Sequence, residues 1–598
     1  MKVMLKIFGL MMLLYGAALK AQTYYQINIS QPEHHLADVQ MKFKVLAPGV
    51  VELKLPAWRT GKYQILDLAN GVRLFQARDQ QGQLLKFRKK EKSSWLLELP
   101  AAGDIEVSYQ IYANQLGERS RHIDETHAYI NPSAYLMFSD ELRSQPSTVQ
   151  LQVPANWRST SGMPRGDNPH QFKAANYDVL SDSPIETGIH QSFSFVVDHR
   201  NYEVVFWGEG NYDSKQIVAD LQKLVAQAPS IWQGYPYQNY LFIIHATSGA
   251  RGATEHLNST VIQRDRFSFA SRKHYLEFLG TAAHELVHTW NVKAYRPAEL
   301  VPYDYLAPNY TELLWISEGS TSYFQNQLLL RAGLMTPAEF YEDLAKRLEK
   351  FARLPGAKVQ SVAQSSFDSW ISLSGDHADN FSVNIYSEGY LVSWLLDQHL
   401  LRHSGLKASY RTLHNELYQR FGKTTAFTAA DVQQIALDLT GKPLTEFWQQ
   451  QVESPLQLDA TALLADAGLE YKTADKQQAW LGVTGSFNAG VEKLSKVERD
   501  GPAWQAGLTS EDEVIAVNRL QLKSALTDRL KDFKPGEKLR LTLFRQGRLL
   551  DKTVTLGALP AEPGKIVPVK KPSRQQKLYH QAWLGVPLAD GAESKAKR

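Results

Sequence analysis

The sequence predicts a multidomain α+β chain, with a β-rich N-terminal domain, a mainly helical middle domain and a small β module near the C-terminus. Three observations carry that prediction. At 598 residues the chain is too long for a single core, and about three domains are expected. Apolar and polar residues alternate through the N-terminal third, whereas helical spacing dominates the middle. Strand-like runs separated by glycine turns return after Ala479. The expected divisions are 1–21, 22–200, 201–457, 470–557 and a tail, 558–598.

The first division reads as a secretory signal peptide. Lys2 and Lys6 precede an apolar run from Ile7 to Leu19, and Ala21 is a suitable last residue before cleavage. The run is short for a membrane span, so no stable membrane insertion is expected after cleavage. Export to a bacterial periplasm is the expectation, with secretion beyond it as the alternative. The chain has no cysteine, so it forms no disulfide, and any metal must be held by histidine and carboxylate. A net charge of +4 over this length gives no reason to expect nucleic acid as a partner.

In 22–200, Met41, Phe43 and Val45 alternate with polar residues, as do Val51, Leu53 and Leu55, and later Ile105, Val107, Tyr109 and Ile111. Turn signals such as Pro48-Gly49, Gly61 and Gly82 separate these runs, which predicts an antiparallel β domain. Tyr240 to His245 reads as a buried strand in the next division.

The chemistry concentrates in His284-Glu285-Leu286-Val287-His288. Leu276, Leu279, Ala283, Leu286, Val287 and Trp290 form an apolar stripe at helical spacing, and residues four apart share a face, so His284 and His288 project together. Two imidazoles at that spacing can hold one Zn²⁺, with Glu285 placed to take a proton from an activated water. A plainer alternative is an amphipathic helix with two hydrogen-bonded core histidines. A catalytic zinc needs a third protein ligand and an open position. Glu318, flanked by Trp315, Ile316, Tyr323 and Phe324 on a second expected helix, is the candidate, because a buried carboxylate is costly unless paired or bound to metal. Thr336 and Thr428 are expected to cap further helices, with Pro337 at a first helical position and Gly441 closing the later one. A polar loop is expected around residues 361–380.

The motif H-E-x-x-H-T-W-N followed by L-W-I-S-E-G-S-T-S-Y-F resembles the M61 zinc metallopeptidases, the glycyl aminopeptidase family, which are gluzincins. The resemblance extends over nearly the whole chain. It implies a thermolysin-like catalytic domain, one zinc per chain on His284, His288 and Glu318, and peptide substrates with N-terminal Gly or Ala. Leu55-Pro-Ala-Trp-Arg-Thr-Gly-Lys-Tyr63 is similar to the family's L-P-x-W-x-P-G-x-Y, with Thr60 in place of the second proline. No chemistry is assigned to this stretch. Gly252-Ala-Thr-Glu-His-Leu-Asn-Ser259 resembles G-G-x-E-H-x-x-S, with Ala253 replacing a glycine. By resemblance it is an edge strand along the substrate, with Gly252 and His256 in the binding region. Glu255 is then the anion that pairs with the substrate's free amine. Residues 381–390 are similar to a segment containing S-Y-Y-x-K-G, with Ile385 and Glu388 as departures. Tyr386 aligns with the second tyrosine, whose phenol can donate to a developing oxyanion. Arg296, His274 and His377 are not expected to act at the metal.

Residues 479–557 resemble a PDZ domain of bacterial proteases, from Trp480-Leu-Gly-Val483, Gly501-Pro-Ala-Trp-Gln-Ala-Gly-Leu508 and Asp512-Glu-Val-Ile-Ala-Val-Asn518. Such domains capture an extended peptide by strand addition, and Leu481, Gly482 and Val483 would receive its C-terminus. Simple packing against the peptidase is the alternative. The tail is expected to be partly disordered, with Leu578 to Leu584 able to dock. Two other functions stay open: a zinc endopeptidase assisted by the C-terminal module, and a peptide-binding protein with a silent site.

Overall fold

The computed structural model describes residues 22–588 apart from 118–119, 372, 423–425 and 474–476, so the expected signal peptide lies outside the described residues. Period-two patterning builds the N-terminal domain. Val39, Met41 and Phe43 on strand Leu36–Val45 stand opposite Tyr109, Val107 and Ile105 on Gly103–Tyr112, in antiparallel register. All six side chains are buried, because alternate residues of a strand face the same side. These strands belong to a six-stranded sheet, beside one five-stranded and one three-stranded sheet. Residues 55–66 leave the three-stranded sheet and cross to the middle domain. There Ala57 N donates to Tyr305 O at 2.8 Å, and Trp58 Nε1 to Asp304 O at 2.7 Å.

The middle domain opens on a five-stranded sheet of β1 (Gln191–Val197), β2 (Arg200–Trp207), β3 (Asn239–Thr247), β4 (Gly252–Glu255) and β5 (Ser259–Asp265), in the order β1-β2-β3-β5-β4. β2, β3 and β5 are parallel, and β1 and β4 are antiparallel edges. The β1–β2 hairpin spans the boundary expected at residue 200. Helix α1 (Arg272–His288) starts at Ser271, whose side chain accepts from His274 N. A π-helical turn, Trp315–Gly319, leads into α2 (Ser320–Arg331). α3 (Pro337–Arg353) carries a full capping box between Thr336 and Glu339, α4 is Ser387–His403, and α5 (Ala429–Thr440) is capped by Thr428 and closed by left-handed Gly441. One continuous core joins Leu279, Ala283 and Leu286 of α1 to Phe324 and Leu328 of α2 and Trp394 of α4.

One region departs from the sequence reading. The loop expected over 361–380 contains helices Val362–Phe367 and Gly375–Phe381; Ser361 caps the first, and Val362 and Ala363 are buried. In the tail, the docking expected of Leu578 to Leu584 is seen as helix α6 (Arg574–Leu584), which follows a strand, Gly564–Pro568. Tyr579, Trp583 and Leu584 share one face of α6 and enter the middle-domain core. Trp583 Nε1 donates to Tyr323 Oη on α2 at 2.7 Å, and Arg411 donates to Ala582 O and Trp583 O. The C-terminal β module is thereby tethered at both ends. Leu469–Thr473 pairs with Gly564–Pro568 on either side of it, and its core of Leu494, Val514, Leu541 and Leu543 is separate.

Candidate metal centre and peptide cleft

α1 places His284 and His288 on one face, as the four-residue spacing requires, and the π turn carries Glu318 to them. The two Nε2 atoms are 3.0 Å apart, and Glu318 Oε2 lies 3.5 Å from His284 Nε2 and 3.3 Å from His288 Nε2. A tetrahedral zinc with bonds of roughly 2.0–2.1 Å needs its ligand atoms about 3.3 Å apart, so this triangle fits the ion. The outer hydrogen bonds agree with that fit. His284 Nδ1 meets Gln325 Oε1 at 2.9 Å and His288 Nδ1 meets Asn291 O at 3.1 Å, so each Nδ1–H donates and each Nε2 lone pair faces the centre. Asn291 Nδ2 donates to Ile316 O and Ser317 O, which ties α1 to the π turn. Packing allows the approach: a Cβ on Gly319 would stand 2.3 Å from the backbone carbon of Gly389, so α4 can begin directly against the π turn only because both residues are glycine.

The third contact of Glu318 comes from the N-terminal domain. Tyr63 Oη donates to Glu318 Oε1 at 2.7 Å. Burial and then the neighbouring Glu318 charge hold the Tyr63 phenol well above its ordinary pKa, so it remains a donor. Burial opposes the charge of Glu318, but His288 and His284 outweigh it and keep this carboxyl below its usual range. Glu285 behaves oppositely. Burial, opposed by His284 and reinforced by the like charges of Glu255 and Glu318, pushes it up to about 8. A cation at the centre would work against that shift. Glu285 Oε2 is buried and has no hydrogen-bond partner.

β4 places Glu255 at the same centre. It is 4% exposed, its Oε1 has no partner, and a Cβ on Gly61 would stand 2.3 Å from its Oε2. Gly252 opens β4 at φ 138°. His256 turns away to Asp182, its Nδ1 3.5 Å from Oδ1. Asp182 is the hub of a buried network: Oδ1 accepts from Lys293 Nζ at 2.6 Å and Thr60 Oγ1 at 2.9 Å, and Oδ2 accepts from Leu257 N at 2.8 Å. Tyr386 stands at the start of α4 with its ring 6.0 Å from that of His284. With Gly61, Tyr63, Asn384 and Asp379 it lines a cleft of about 380 Å³. Arg296 donates to Lys293 O and lies over the ring of Tyr303, and His377 packs at a tilt against Phe381.

Tyr63, Arg59, Asp182, Lys293, Gln325 and Asn291 are site residues to which the sequence reading gave no role. Leu481, Gly482 and Val483 lie apart, in the C-terminal module, where Gly482 takes φ 77° and its carbonyl accepts from Glu498 N. That module rests on the helix Gly375–Phe381: Asn380 Nδ2 donates to Val497 O, Arg499 N to Asn380 Oδ1, and Lys496 pairs with Asp379 at 3.0 Å. Elsewhere Glu186 bridges His127 Nδ1 at 2.8 Å and His245 Nε2 at 3.0 Å through different oxygens, which is the geometry of a hydrogen-bonded clamp between the N-terminal and middle domains.

Residues 24–189 match the family model of the M61 peptidase N-terminal domain, and residues 277–392 that of the M61 glycyl aminopeptidases. A solved aminopeptidase N family protein from Idiomarina loihiensis superposes with a TM-score of 0.86 at 26% identity, over 93% of this chain and all of that one. An M1 zinc metallopeptidase from Deinococcus radiodurans gives a TM-score of 0.43 at 14% identity, over 71% of this chain and 91% of that one. Probable periplasmic serine endoproteases, DegP-like, from Brucella suis and Chlamydia muridarum are 30% identical over 108 residues and 31% identical over 119. Those matches cover 16% and 17% of this chain, and the chain spans only 21% and 24% of those relatives.

Proposed function

The chain is a metallopeptidase of the M61 family, and on that premise we propose that it is a zinc-dependent aminopeptidase that removes small N-terminal residues, glycine and alanine foremost, from peptides. The observation that carries the proposal is the pairing of two features within one buried site. One is the triangle of His284, His288 and Glu318. The other is the unpartnered carboxylate oxygen of Glu255 on the edge strand beside it. His284, His288 and Glu318 would hold one zinc, which supplies Lewis acidity there when bound. Glu285 Oε2 takes a proton from the attacking water and returns it to the leaving amine. Glu255 pairs with the substrate ammonium and so sets cleavage at the first peptide bond. Tyr386 donates to the oxyanion. Tyr63 holds Glu318 in register, and its family pattern partner Gly61 leaves room for the Glu255 carboxylate.

We read the C-terminal module as a PDZ domain. Its edge strand Val483–Asn488 pairs on one side only among the described residues, and Leu481 and Gly482 precede it, with Val483 opening it, where a peptide C-terminus would bind. The module's seat on the helix Gly375–Phe381, whose Ala378 and Asp379 line the cleft, favours a second reading in which it delivers protein substrates to an endopeptidase. Export to the periplasm, or secretion, is proposed from the N-terminal segment alone; no described helix is long and apolar enough to cross a membrane.

Hydrolysis of Gly- and Ala-arylamides by the mature protein, with zinc and with chelator, tests the assignment. Chelator-sensitive cleavage lost in Glu285→Ala is expected. Cleavage of N-terminally blocked peptides instead would favour the endopeptidase reading. A full zinc content with no cleavage of either would leave a peptide-binding protein.

A further inference from the structure

Buried polar atoms without hydrogen-bond partners near the metal centre include Glu285 Oε2, Glu255 Oε1, and Nε with Nη2 of Arg59. The first two have roles in the reaction, but Arg59 has none so far. Its side chain is 2% exposed, and its Nη1 donates to Thr60 O at 2.6 Å, which fixes the plane of the guanidinium. Nε and Nη2 are the two donors along one edge of that plane. This edge meets both oxygens of a carboxylate in parallel. Arg59 therefore presents a complete bidentate fork with nothing in it, and no carboxylate of a described residue pairs with it. Keeping a buried cation with two unmade hydrogen bonds is costly, and such groups are rare in folded proteins unless a ligand completes them.

The position of the fork narrows the ligand. The charge of Arg59 acts on Glu285 and on His256, which places it at the catalytic centre. Gly61, two residues further on, lies against Glu255. Two residues span roughly 7 Å of chain. A ligand with its amine on Glu255 and an anion in the Arg59 fork is therefore short.

We propose that Arg59 binds the free α-carboxylate of a di- or tripeptide whose amino end is held by Glu255, making this enzyme selective for short peptides with both ends free. The proposal rests on the aminopeptidase reading of the site. Arg59 and Gly61 belong to one stretch, so the fork and the Glu255 carboxylate lie close together. Longer peptides and C-terminal amides leave the fork empty and lose its contribution.

The test is calorimetric binding of Ala-Ala-Ala as free acid and as C-terminal amide to the zinc-loaded Glu285→Gln enzyme, which holds peptide without cutting it. The acid is expected to bind about 10- to 100-fold more tightly, the worth of a charge-assisted hydrogen-bonded pair. In Arg59→Met, with zinc content and melting temperature as checks on folding, the acid should fall to the affinity of the amide while the amide stays as it was. Arg59→Lys should keep part of the preference, since a point charge replaces a fork. Equal affinity for acid and amide with Arg59 intact overturns the proposal, and this arm needs no Arg59 variant to fold. An acid preference that survives Arg59→Met, or an equal loss of both ligands, overturns it as well. Arylamide cleavage by the unaltered enzyme, a substrate with no carboxylate, judges the aminopeptidase reading separately.

Discussion

Gly61→Ala is the sharpest probe of how the N-terminal domain shapes this site. Gly61 sits at φ +86°, and a Cβ there would lie 2.3 Å from Glu255 Oε2 and 2.6 Å from Oε1. The left-handed backbone alone costs a residue with a side chain about 1–2 kcal/mol. Ordinary contact begins near 3.4 Å, so either the carboxylate or the 59–63 segment must retreat by roughly 1 Å. Glu255 is 4% exposed, and the far end of its side chain is the softer of the two partners, so the carboxylate gives first. A misplacement of that size at a group that orients the substrate costs about 100-fold in rate. The expected outcome is a drop of about 100-fold in kcat/KM on Ala-arylamide, with one zinc still bound per chain and a melting temperature lowered by a few degrees. The assay pairs arylamide kinetics with zinc analysis and thermal melting. Wild-type kcat/KM beside the lowered melting temperature would refute the reasoning, since it would mean that the contact between Gly61 and Glu255 has no bearing on the amine.

Other perturbations follow from the same geometry. Tyr63→Phe removes the donor to Glu318 Oε1 and should weaken zinc binding about 10- to 100-fold in chelator competition; unchanged affinity would show that Glu318 needs no such support. Asp182→Asn strands the buried Lys293 ammonium and should cost about 3–5 kcal/mol in denaturant unfolding. Burial opposes the Asp182 charge, but Lys293 and then His256 together outweigh it and hold the carboxyl below its ordinary range. Its folded pKa thus lies below the unfolded one, so its stabilisation is complete above about pH 4 and is lost as pH falls through the folded value. The acid limb of wild-type stability should accordingly flatten in Asp182→Asn. Trp583→Ala empties a buried site between α6 and the core and removes the donor to Tyr323, for an expected loss of about 3–5 kcal/mol; a melting temperature near wild type would show α6 to be dispensable.

The parts of this site legible in the sequence are those that one element specifies by itself. His284, Glu285 and His288 lie within one helical turn, so their common face follows from spacing alone. Glu318 was legible because an acidic residue among Trp315, Ile316, Tyr323 and Phe324 needs a buried partner. Periodicity carries no information about contacts such as Tyr63 with Glu318, 255 residues apart, or Lys293 with Asp182, 111 apart. The substitution of Thr60 for proline was visible, but its meaning was not. Its hydroxyl lies between Lys293 Nζ and Asp182 Oδ1, a place that exists only after two domains have met. The docking of residues 578–584 was legible, but its receiving surface was hidden in the same way. The apolar face of α6 is readable, yet its partner Tyr323 stands 260 residues earlier.

Residues 57–63 supply many of the contacts that the N-terminal domain makes around the candidate site, beside those of Asp182 and Glu186. Within seven residues, Ala57 and Trp58 anchor the crossing, Arg59 presents its fork, Thr60 joins the Asp182–Lys293 pair, Gly61 lies on Glu255 and Tyr63 holds Glu318. A middle domain without that segment would keep its zinc triangle but leave Glu318 Oε1 without its donor and Glu255 without its cover. The segment itself has no regular secondary structure, so its conformation depends on the sheet that launches it and on the surface that receives it. The N-terminal domain is thus a wall of the candidate site, and on the proposed function the unit that recognises a peptide is the pair of domains.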